Sequence, residues 1–418
     1  MKNRPVIKRG FTLVELMVAM AAGTLVAAAA ILLSKNAVAL FQEESRLAYA
    51  ELAVASGIDQ LGAELMLAGR KSTPNAIRDT RVCAPSGLTG FPEGLRRLAP
   101  IIIEPSAIVP GDAALNGLKP ERVTIAGDLD SGERFDLRAI VPGPAGISLY
   151  LQPRSAPIRR IGALASAEDA SARISDLFRL GRIVRVEGGA SDYYGVIKGL
   201  SIVGKPMDTV VIMLAQNPEI PLFPNSSLRC AARGFFEGQS VNVISRVRYE
   251  LRHIAADSPY ASWIEPPNLV AGDEGRTELV RVELDEHDQE LDGSLRIVAE
   301  FAVDLRFGIT ALGPGSTAEM PVLLRLPISD APDTRPAIYS IAGPPTEGNS
   351  DPGSVRGVSV RLSVRARAPD RKAPFIQFPG ARPYRYEVGK SIGEMRFARL
   401  RTFEREFVLK NIRDGGVQ

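Results

Sequence analysis

The spacing of hydrophobic positions changes near residue 70 and divides the chain into a helical part and a β-rich part. Residues 11–34 form an apolar run in which Glu15 is the one charged side chain. As a helix this run would rise about 36 Å, enough to cross a hydrocarbon layer of about 30 Å. Beyond Lys35, apolar residues recur at helical spacing, which predicts an amphipathic continuation of the same helix to about Gly69. A coiled-coil stalk or a simple domain-packing helix would show the same spacing.

The two faces of this continuation have distinct compositions. The apolar positions are Leu40, Leu47, Val54, Ile58, Leu61 and Leu65. The charged residues of the other faces are Glu43, Glu44, Arg46, Glu51, Asp59 and Glu64. The apolar residues therefore share one face of the predicted helix and the charged residues occupy the others.

Apolar and polar residues alternate after Pro74, which predicts strands. The clearest alternation covers residues 241–251, 297–309 and 358–364, and further candidates are 122–125, 182–186 and 209–214. This pattern is typical of half-buried strands with one face in water, as in an antiparallel sheet. Residues 159–181 have helical spacing and predict one short helix. The predicted fold class is therefore α+β, with one long N-terminal helix and a large antiparallel β-rich head.

Composition limits the functions that the chain can have. Hydrophobic residues make up 45% and charged residues 24%, and the net charge is +3, which is too even for a chain that binds nucleic acid along its whole length. Two cysteines are too few for a disulfide-built scaffold or a four-cysteine zinc site. Residues 356–413 are rich in Lys and Arg, which fits either an acidic partner such as DNA or the wet face of strands, and we favour the strands.

No catalytic motif emerges from the sequence. His253 and His287 have no nucleophile motif beside them, and we interpret both as surface residues. The segment 128–132 resembles the start of a calcium loop but lacks further acidic ligands, so a hairpin turn is the favoured interpretation. The acidic run 283–292 could hold calcium loosely, but a solvated turn is favoured there too. We therefore expect a protein that is not an enzyme, with no cofactor and no metal.

A basic leader precedes the apolar run. It contains Lys2, Arg4, Lys8 and Arg9 and no acidic residue. A cleaved secretory signal, a mitochondrial presequence and a plain membrane anchor can all begin in this way. The apolar run is longer than the about 7–15 residues of a signal peptide, and it is not amphipathic as a presequence would be. A membrane anchor remains, with the leader on the cytoplasmic side.

A plain anchor does not explain Glu15, because a carboxylate inside a membrane helix costs roughly 2.5–3.5 kcal/mol. Residues 8–15 read Lys-Arg-Gly-Phe-Thr-Leu-Val-Glu. This segment resembles the class III signal of type IV prepilins and of type II secretion pseudopilins. The resemblance implies that a prepilin peptidase cuts between Gly10 and Phe11 and methylates Phe11. It also implies that Glu15 pairs with the amino terminus of a neighbouring subunit, and such a cation would make the burial of the carboxylate tolerable.

Three further segments resemble minor pilins of the PilW type and the related J-type minor pseudopilins. They are the helix end at 61–69, a late strand at 356–367 and the ending Phe407-Val408-Leu409-Lys410-Asn411. The resemblance implies a type IV pilin-like fold and a non-enzymatic subunit of the priming or tip complex of a pilus, promoting pilus assembly, motility or adhesion. A minor pseudopilin of a type II secretion system and a signal-anchored periplasmic enzyme or adhesin remain alternatives.

The same resemblance implies partners, a location and a division of the chain. The expected partners are the prepilin peptidase, the major pilin and other minor pilins, a PilY-type tip adhesin, the inner-membrane assembly platform and, before assembly, membrane lipid; nucleic acid is not expected. The chain would cross the bacterial inner membrane once, with its head in the periplasm, before it joins the filament at the cell surface. The segments would be a cleaved leader 1–10, a transmembrane and assembly helix 11–34, its amphipathic continuation 35–72 and a head 73–418, in which 84–240 is a candidate expanded subdomain.

Cys83 and Cys230 are the two cysteines of the predicted head. A head outside the cytoplasmic membrane would lie in a compartment that permits disulfides. A bridge would join the region after the helix to the middle of the head, and its long loop would contribute roughly 3–5 kcal/mol. Two buried, unpaired thiols are the alternative. The even number of cysteines favours the bridge.

The cleavage site generates the first testable prediction. We expect Gly10→Val to keep the chain at full length in the membrane, because the peptidase requires close backbone approach at the scissile bond and only glycine lacks a Cβ. Immunoblotting of membranes and mass spectrometry of the N-terminal peptide measure this. A wild-type N-terminus at any residue other than Phe11 would contradict the prepilin interpretation.

Overall fold

The fold is described from a computed structural model of the chain. The described residues are 12–83, 88, 90–106, 116–143, 146–164, 166–188, 191–204, 209–222, 235–255, 257–264, 275–313, 316, 320–329, 352–367, 385–388 and 396–412. A single helix, α1, covers Leu13–Leu67, 55 residues in length. Three short helices follow, α2 (Glu93–Arg96), α3 (Ala156–Gly162) and α4 (Ala167–Leu177). The predicted α+β fold, a long N-terminal helix on a large antiparallel head, is confirmed.

Two antiparallel sheets form the described part of the head. The first has ten strands: β1 (Ile101–Pro105), β2 (Glu121–Gly127), β3 (Phe135–Gly143), β4 (Gly146–Leu151), β5 (Ile183–Glu187), β6 (Asp192–Val203), β7 (Thr209–Leu214), β8 (Ser240–Arg252), β9 (Glu278–Glu283) and β10 (Arg296–Ala299). The second has five strands: β11 (Ala302–Leu312), β12 (Leu323–Leu326), β13 (Val355–Arg365), β14 (Arg385–Val388) and β15 (Arg396–Val408).

Part of the larger sheet closes into a barrel. The first half of β8 pairs with β3 on one side and β5 on the other, and the pairings β3–β4–β7–β6–β5 complete the ring. The second half of β8 leaves the ring and pairs with β2 and β9. The barrel interior and the helices α3 and α4 share one hydrophobic core, to which Phe135, Ile158, Ile174 and Val243 belong. Because β8 belongs to both halves of the sheet, the barrel is continuous with the rest of the head.

The second half of α1 packs between the two sheets. Its residues Val54, Ile58, Leu61 and Leu65 are buried in one core with side chains of both sheets. Those sheet residues include Val123, Val247 and Leu279 of the larger sheet and Leu305, Val360, Leu362 and Phe407 of the smaller one. The apolar positions predicted from the spacing therefore form the buried face of α1, with one exception. Leu40 is 59% exposed, because α1 enters the head only at about Leu47.

The segment after α1 joins the helix to the barrel. Gly69 has a φ of +73°, which glycine adopts without strain, and its N–H donates to the carbonyl of Ala126 at 2.9 Å. The carbonyl of Lys71 accepts from Arg185 and from Asn242, each at 3.2 Å. The barrel therefore lies next to the C-terminal end of α1, at the end opposite the apolar half of the helix.

For the three clearest alternating segments, 241–251, 297–309 and 358–364, the prediction of one wet face is wrong. Both faces of β8, β11 and β13 are largely buried, and Arg306 and Arg365 are among the largest fully buried side chains of the described chain. Arg306 pairs with Asp304 at 3.0 Å and Arg361 with the same carboxylate at 3.4 Å. Arg365 donates to the carbonyls of Ala366 and Arg367. Polar partners therefore allow these side chains to be buried, and the interpretation of residues 356–413 as the wet face of strands is wrong at Arg361 and Arg365.

The alternating run 297–309 is two strands in different sheets. β10 ends at Ala299 and pairs with β9, whereas β11 starts at Ala302 and pairs with β13. Between them Phe301 has a φ of +57°, and its N–H donates to the Glu278 carboxylate at 2.7 Å. The guanidinium of Arg276 lies 3.8 Å from the centre of the Phe301 ring. This turn lets one alternating sequence cross from one sheet to the other.

Two local predictions also need correction. Residues 159–181 contain parts of two helices, because the chain turns after Gly162 and the Ser166 side chain caps α4 by accepting from Asp169 N–H at 3.0 Å. The segment 128–132 is a turn but not a hairpin, since β2 and β3 each pair with β8. In this turn Asp128 accepts from the backbone N–H groups of Ser131 and Gly132.

The buried carboxylate at the sheet crossing generates a pH prediction. Burial raises the pKa of Glu278 from 4.5 to about 7. The folded chain therefore holds this proton over a pH range in which the unfolded chain has released it, and the free energy of unfolding falls as the pH rises from 4.5 to about 7. In Glu278→Gln this dependence should be shallower. Denaturant unfolding of the two proteins at several pH values measures the difference, and parallel pH curves would contradict the assignment.

Candidate assembly site on the N-terminal helix

A capping box starts α1 and involves Glu15. The backbone N–H of Thr12 donates to Glu15 Oε2 at 2.9 Å, and the Thr12 hydroxyl donates to the same oxygen at 3.0 Å. In return the N–H of Glu15 donates to Thr12 Oγ1 at 3.2 Å. A side chain at the third helical position satisfies helix N-terminal donors in this way. The Glu15 carboxylate is therefore folded back onto Thr12, the N-cap residue that precedes the helix.

The helix surface around Glu15 is apolar and has no partner within the described chain. Leu13, Leu25 and Leu33 are at least 72% exposed, and the other large side chains of this half are exposed as well. This half of α1 is long and apolar enough to cross a membrane. A surface of this size in water would favour association, so lipid or the helices of other subunits must cover it.

The position of Glu15 determines what this site can do. A carboxylate among apolar side chains is costly unless donors or a cation satisfy it. The Thr12 groups satisfy one oxygen, and the N-terminal end of a helix is favourable for negative charge. Cleavage after Gly10 would leave a free amino group on Phe11, the residue directly before Thr12. Gly10 and Phe11 themselves lie outside the described residues, so the cleavage and methylation sites stay predictions, as does the pairing of Glu15 with a neighbouring subunit.

Close packing fixes the other end of α1 to the smaller sheet. A Cβ on Gly62 would overlap the ring of Phe407, and a Cβ on Gly57 would lie 2.9 Å from Leu362 Cδ2. The Asn411 side chain donates to the carbonyl of Met66 at 2.8 Å and so caps the helix end. The three segments that carry the finer resemblance, at the helix end, on β13 and after β15, therefore meet in one place.

A buried polar chain joins α1 to the larger sheet, and the sequence analysis missed it. Glu64 accepts from the Tyr249 hydroxyl at 2.9 Å and from Arg281 Nε at 2.8 Å. Arg281 also pairs with Glu283, whose carboxylate accepts three hydrogen bonds from the Arg182 guanidinium. Burial raises the pKa of Glu64 despite the nearby Arg281. Periodicity places Glu64 off the apolar face of α1 but does not reveal that this side chain has partners in the sheet.

Four carboxylates of the acidic run 283–292 pair with basic side chains, namely Glu283, Glu286, Asp288 and Glu290. Asp288 pairs with Arg97 at 2.8 Å and with Arg246, and these arginines lower the pKa of its carboxyl. Glu290 pairs with Arg248 and Arg252, and Glu286 with Lys198. No cluster of possible metal ligands occurs within the described residues. His287 is exposed, and so is His253, whose Nδ1 lies 2.8 Å from the carbonyl of Arg276.

Cys83 lies near the start of the barrel. It is buried, it is disulfide-bonded, and its N–H donates to the carbonyl of Asp192 at 2.8 Å. Cys230 lies outside the described residues. The pairing of these two cysteines therefore stays a prediction.

Comparison with known proteins gives one match. The family model of the prokaryotic N-terminal methylation motif matches residues 7–31. This stretch includes Gly10, Phe11 and Glu15 and supports a type IV prepilin-like protein, a class that includes pilins and pseudopilins. It implies processing by a prepilin peptidase and assembly with other pilins. No curated protein and no solved structure matches the chain significantly.

The contact between α1 and Phe407 generates a stability prediction. Gly62→Ala should lower the free energy of unfolding by about 1–3 kcal/mol, because the added methyl forces the Phe407 ring out of its position. Thermal unfolding of the full chain in detergent measures the change. Gly23→Ala is the matched control, since no atom lies within 4 Å of a Cβ there. Adding Phe407→Leu to Gly62→Ala should recover part of the lost stability. Equal stability of Gly62→Ala and Gly23→Ala would contradict this packing.

Proposed function

We propose that this chain is a non-enzymatic minor pilin, a structural subunit of the priming or tip complex of a type IV pilus. The arrangement of Thr12 and Glu15 supports this proposal most directly. It places one carboxylate at the start of a helix whose apolar surface needs partners, close to the expected new amino terminus. An anchor would need the apolar surface alone. A helix that joins others in a filament also needs a charge that sets its register against a neighbour.

The size of the head favours a position of low copy number. Residues 73–418 as a compact body would have a radius of gyration of about 20 Å and a diameter of about 50 Å. Helices pack at separations of roughly 8–10 Å. Heads this wide would crowd one another if every subunit of a filament carried one. A tip or a priming complex contains few subunits and avoids this crowding.

The contact between α1 and the smaller sheet supports the PilW-type assignment. The segments 61–69, 356–367 and 407–411 carry the finer resemblance, and they pack together through Phe407, Leu362 and Asn411. Small residues let α1 pack closely on the sheet, so a force that moves the helix also moves the head. Such a contact suits a subunit that must leave the membrane as one body.

The proposal includes the expected partners and path of the protein. The prepilin peptidase would process the chain in the inner membrane while its head lies in the periplasm. The assembly platform would then move it into a filament with the major pilin and other minor pilins, where a PilY-type adhesin would be a tip partner. The ion pairs of Asp288 and Glu290 in the acidic run and the surface positions of His253 and His287 support a structural role rather than catalysis.

The charge of Glu15 and its role as a helix cap can be tested separately. Glu15→Gln removes the charge but keeps an oxygen that can accept from Thr12, whereas Thr12→Val removes the hydroxyl of the cap and keeps the charge. We expect Glu15→Gln and Glu15→Val to reduce the amount of the chain in sheared filaments at least tenfold, and Thr12→Val to change it less than threefold. All three should be cleaved and present in membranes.

Immunoblots of the membrane and filament fractions measure these amounts against the wild type. Normal incorporation of both Glu15 variants would contradict the proposal and favour a plain anchor. A defect of Thr12→Val equal to that of Glu15→Val would assign the effect to the cap alone.

A further inference from the structure

One end of the smaller sheet points toward the apolar half of α1. β15 runs beside α1 in the same direction. Arg401 Nε lies 3.9 Å from Glu51 Oε2, and further along both elements Arg405 Nη1 lies 2.6 Å from Asp59 Oδ1. β14 pairs with residues 396–399 at the start of β15. Both strands therefore extend beyond the level of Glu51 toward the half of the helix that is apolar enough to cross a membrane.

This end of the sheet is rich in arginine. Residues 385–388 and 396–401 contain four arginines and one acidic residue, Glu387. We call these two segments the basic end. The strand register places Arg385 directly opposite Arg399. Like charges directly opposite each other on paired strands are unfavourable, so an anionic partner would stabilise this arrangement.

The neighbouring elements do not cancel this charge. The Glu51 side chain is 57% exposed and 3.9 Å from Arg401, so their ion pair contributes little. The charged residues at the same level of α1 and at the end of β13 are Glu43, Glu44, Arg46, Glu51, Arg365 and Arg367. Together with the basic end they make seven basic residues against four acidic ones. A positive charge therefore remains at this end of the head.

The position of the basic end along α1 places it near the surface of a bilayer that α1 spans. The apolar run ends at residue 34, and the helix rises about 26 Å from there to Glu51. Arg396 precedes Arg401 by five strand residues, which lead back about 17 Å toward the membrane. The basic end therefore begins about 9 Å beyond the hydrocarbon. A headgroup layer is about 5–8 Å thick, so long arginine side chains at this level come within reach of it.

We infer that the basic end docks the head on the anionic lipid headgroups of the membrane that holds α1, before the chain enters a filament. Each basic residue near an anionic surface strengthens binding about fivefold, and α1 supplies the tether that makes a small contact effective. The Asn116 side chain donates to the Glu387 carbonyl at 3.0 Å and accepts from the Glu387 N–H at 2.8 Å, which fixes β14 in place. This inference rests on the membrane-stored state within the proposed function.

The location of the basic end favours lipid over nucleic acid. The phosphates of nucleic acid attract the same side chains. Between the head and the bilayer, however, lipid phosphates are already present at high local concentration, whereas a duplex would have to enter that space. The basic segment of the sequence therefore finds its acidic partner in the membrane surface.

Site-specific photo-crosslinking to lipid tests the inference. A photoreactive phenylalanine analogue replaces Phe397 or Phe403 in the full chain, which is reconstituted into nanodiscs of equimolar phosphatidylglycerol and phosphatidylcholine. Both residues are partly exposed on the same face of β15, and Phe403 lies about 20 Å further from the bilayer. Mass spectrometry should find at least tenfold more lipid adduct at position 397 than at position 403. At position 397 phosphatidylglycerol adducts should exceed phosphatidylcholine adducts at least fivefold.

Charge removal and salt provide the second measurement. Arg399→Gln combined with Arg401→Gln should reduce the phosphatidylglycerol adduct at position 397 at least fivefold. Arg405→Gln is the matched control and should leave it unchanged, because Arg405 lies further from the bilayer and pairs with Asp59. Salt at about 1 M, where charges are screened over about 3 Å, should reduce the adduct of the chain with its arginines intact by a similar factor, whatever the substitutions do to folding.

Equal adduct yields at positions 397 and 403, no preference for phosphatidylglycerol, or no effect of salt would overturn the inference. Crosslinks from position 397 to an added DNA duplex in place of lipid would assign the basic end to nucleic acid and would overturn it as well. In each of these cases, incorporation of the wild-type chain into filaments would still uphold the proposed function. The expected adducts from a chain that never enters filaments would support the lipid contact and contradict the proposed function.

Discussion

The packing of residues 47–68 of α1 between the two sheets is the contact on which the rest of the structure depends. It supplies the core shared by both sheets, and it requires glycine at positions 57 and 62, where the backbone of the helix meets Leu362 and Phe407. The same helix extends beyond the head as an exposed apolar segment with Glu15 in its first turn. One continuous element thus belongs to the head at one end and is available to a membrane or a filament at the other. The head and the assembly site are therefore mechanically one unit.

Buried ion pairs hold the surroundings of this helix together. Glu64 connects α1 to Arg281, and through Glu283 to Arg182 at the start of β5 in the barrel. A buried charge that loses its partner is strongly destabilising, so such chains fix which elements must lie side by side.

The sequence predicted the elements that bury one apolar face in a core and leave the opposite face more exposed. The helix 13–67 and strands such as β7 followed from periodicity, because apolar side chains face one core there. Periodicity failed where both faces are buried, since it cannot distinguish water from an ion-pair partner, as Arg306 and Glu64 illustrate. It also failed at Phe301, where the alternation continues although the chain changes sheets. The charge of Glu15 within the apolar run singled it out in the sequence, but the sequence alone did not predict its hydrogen bonds with Thr12.

We expect cleavage after Gly10 to be required before the apolar half of α1 enters a filament. Mass spectrometry of filaments sheared from cells tests this expectation. The filament fraction should contain this chain with an N-terminal peptide that starts at a methylated Phe11. Finding the chain in the membrane fraction alone, with residues 1–10 still attached, would contradict it.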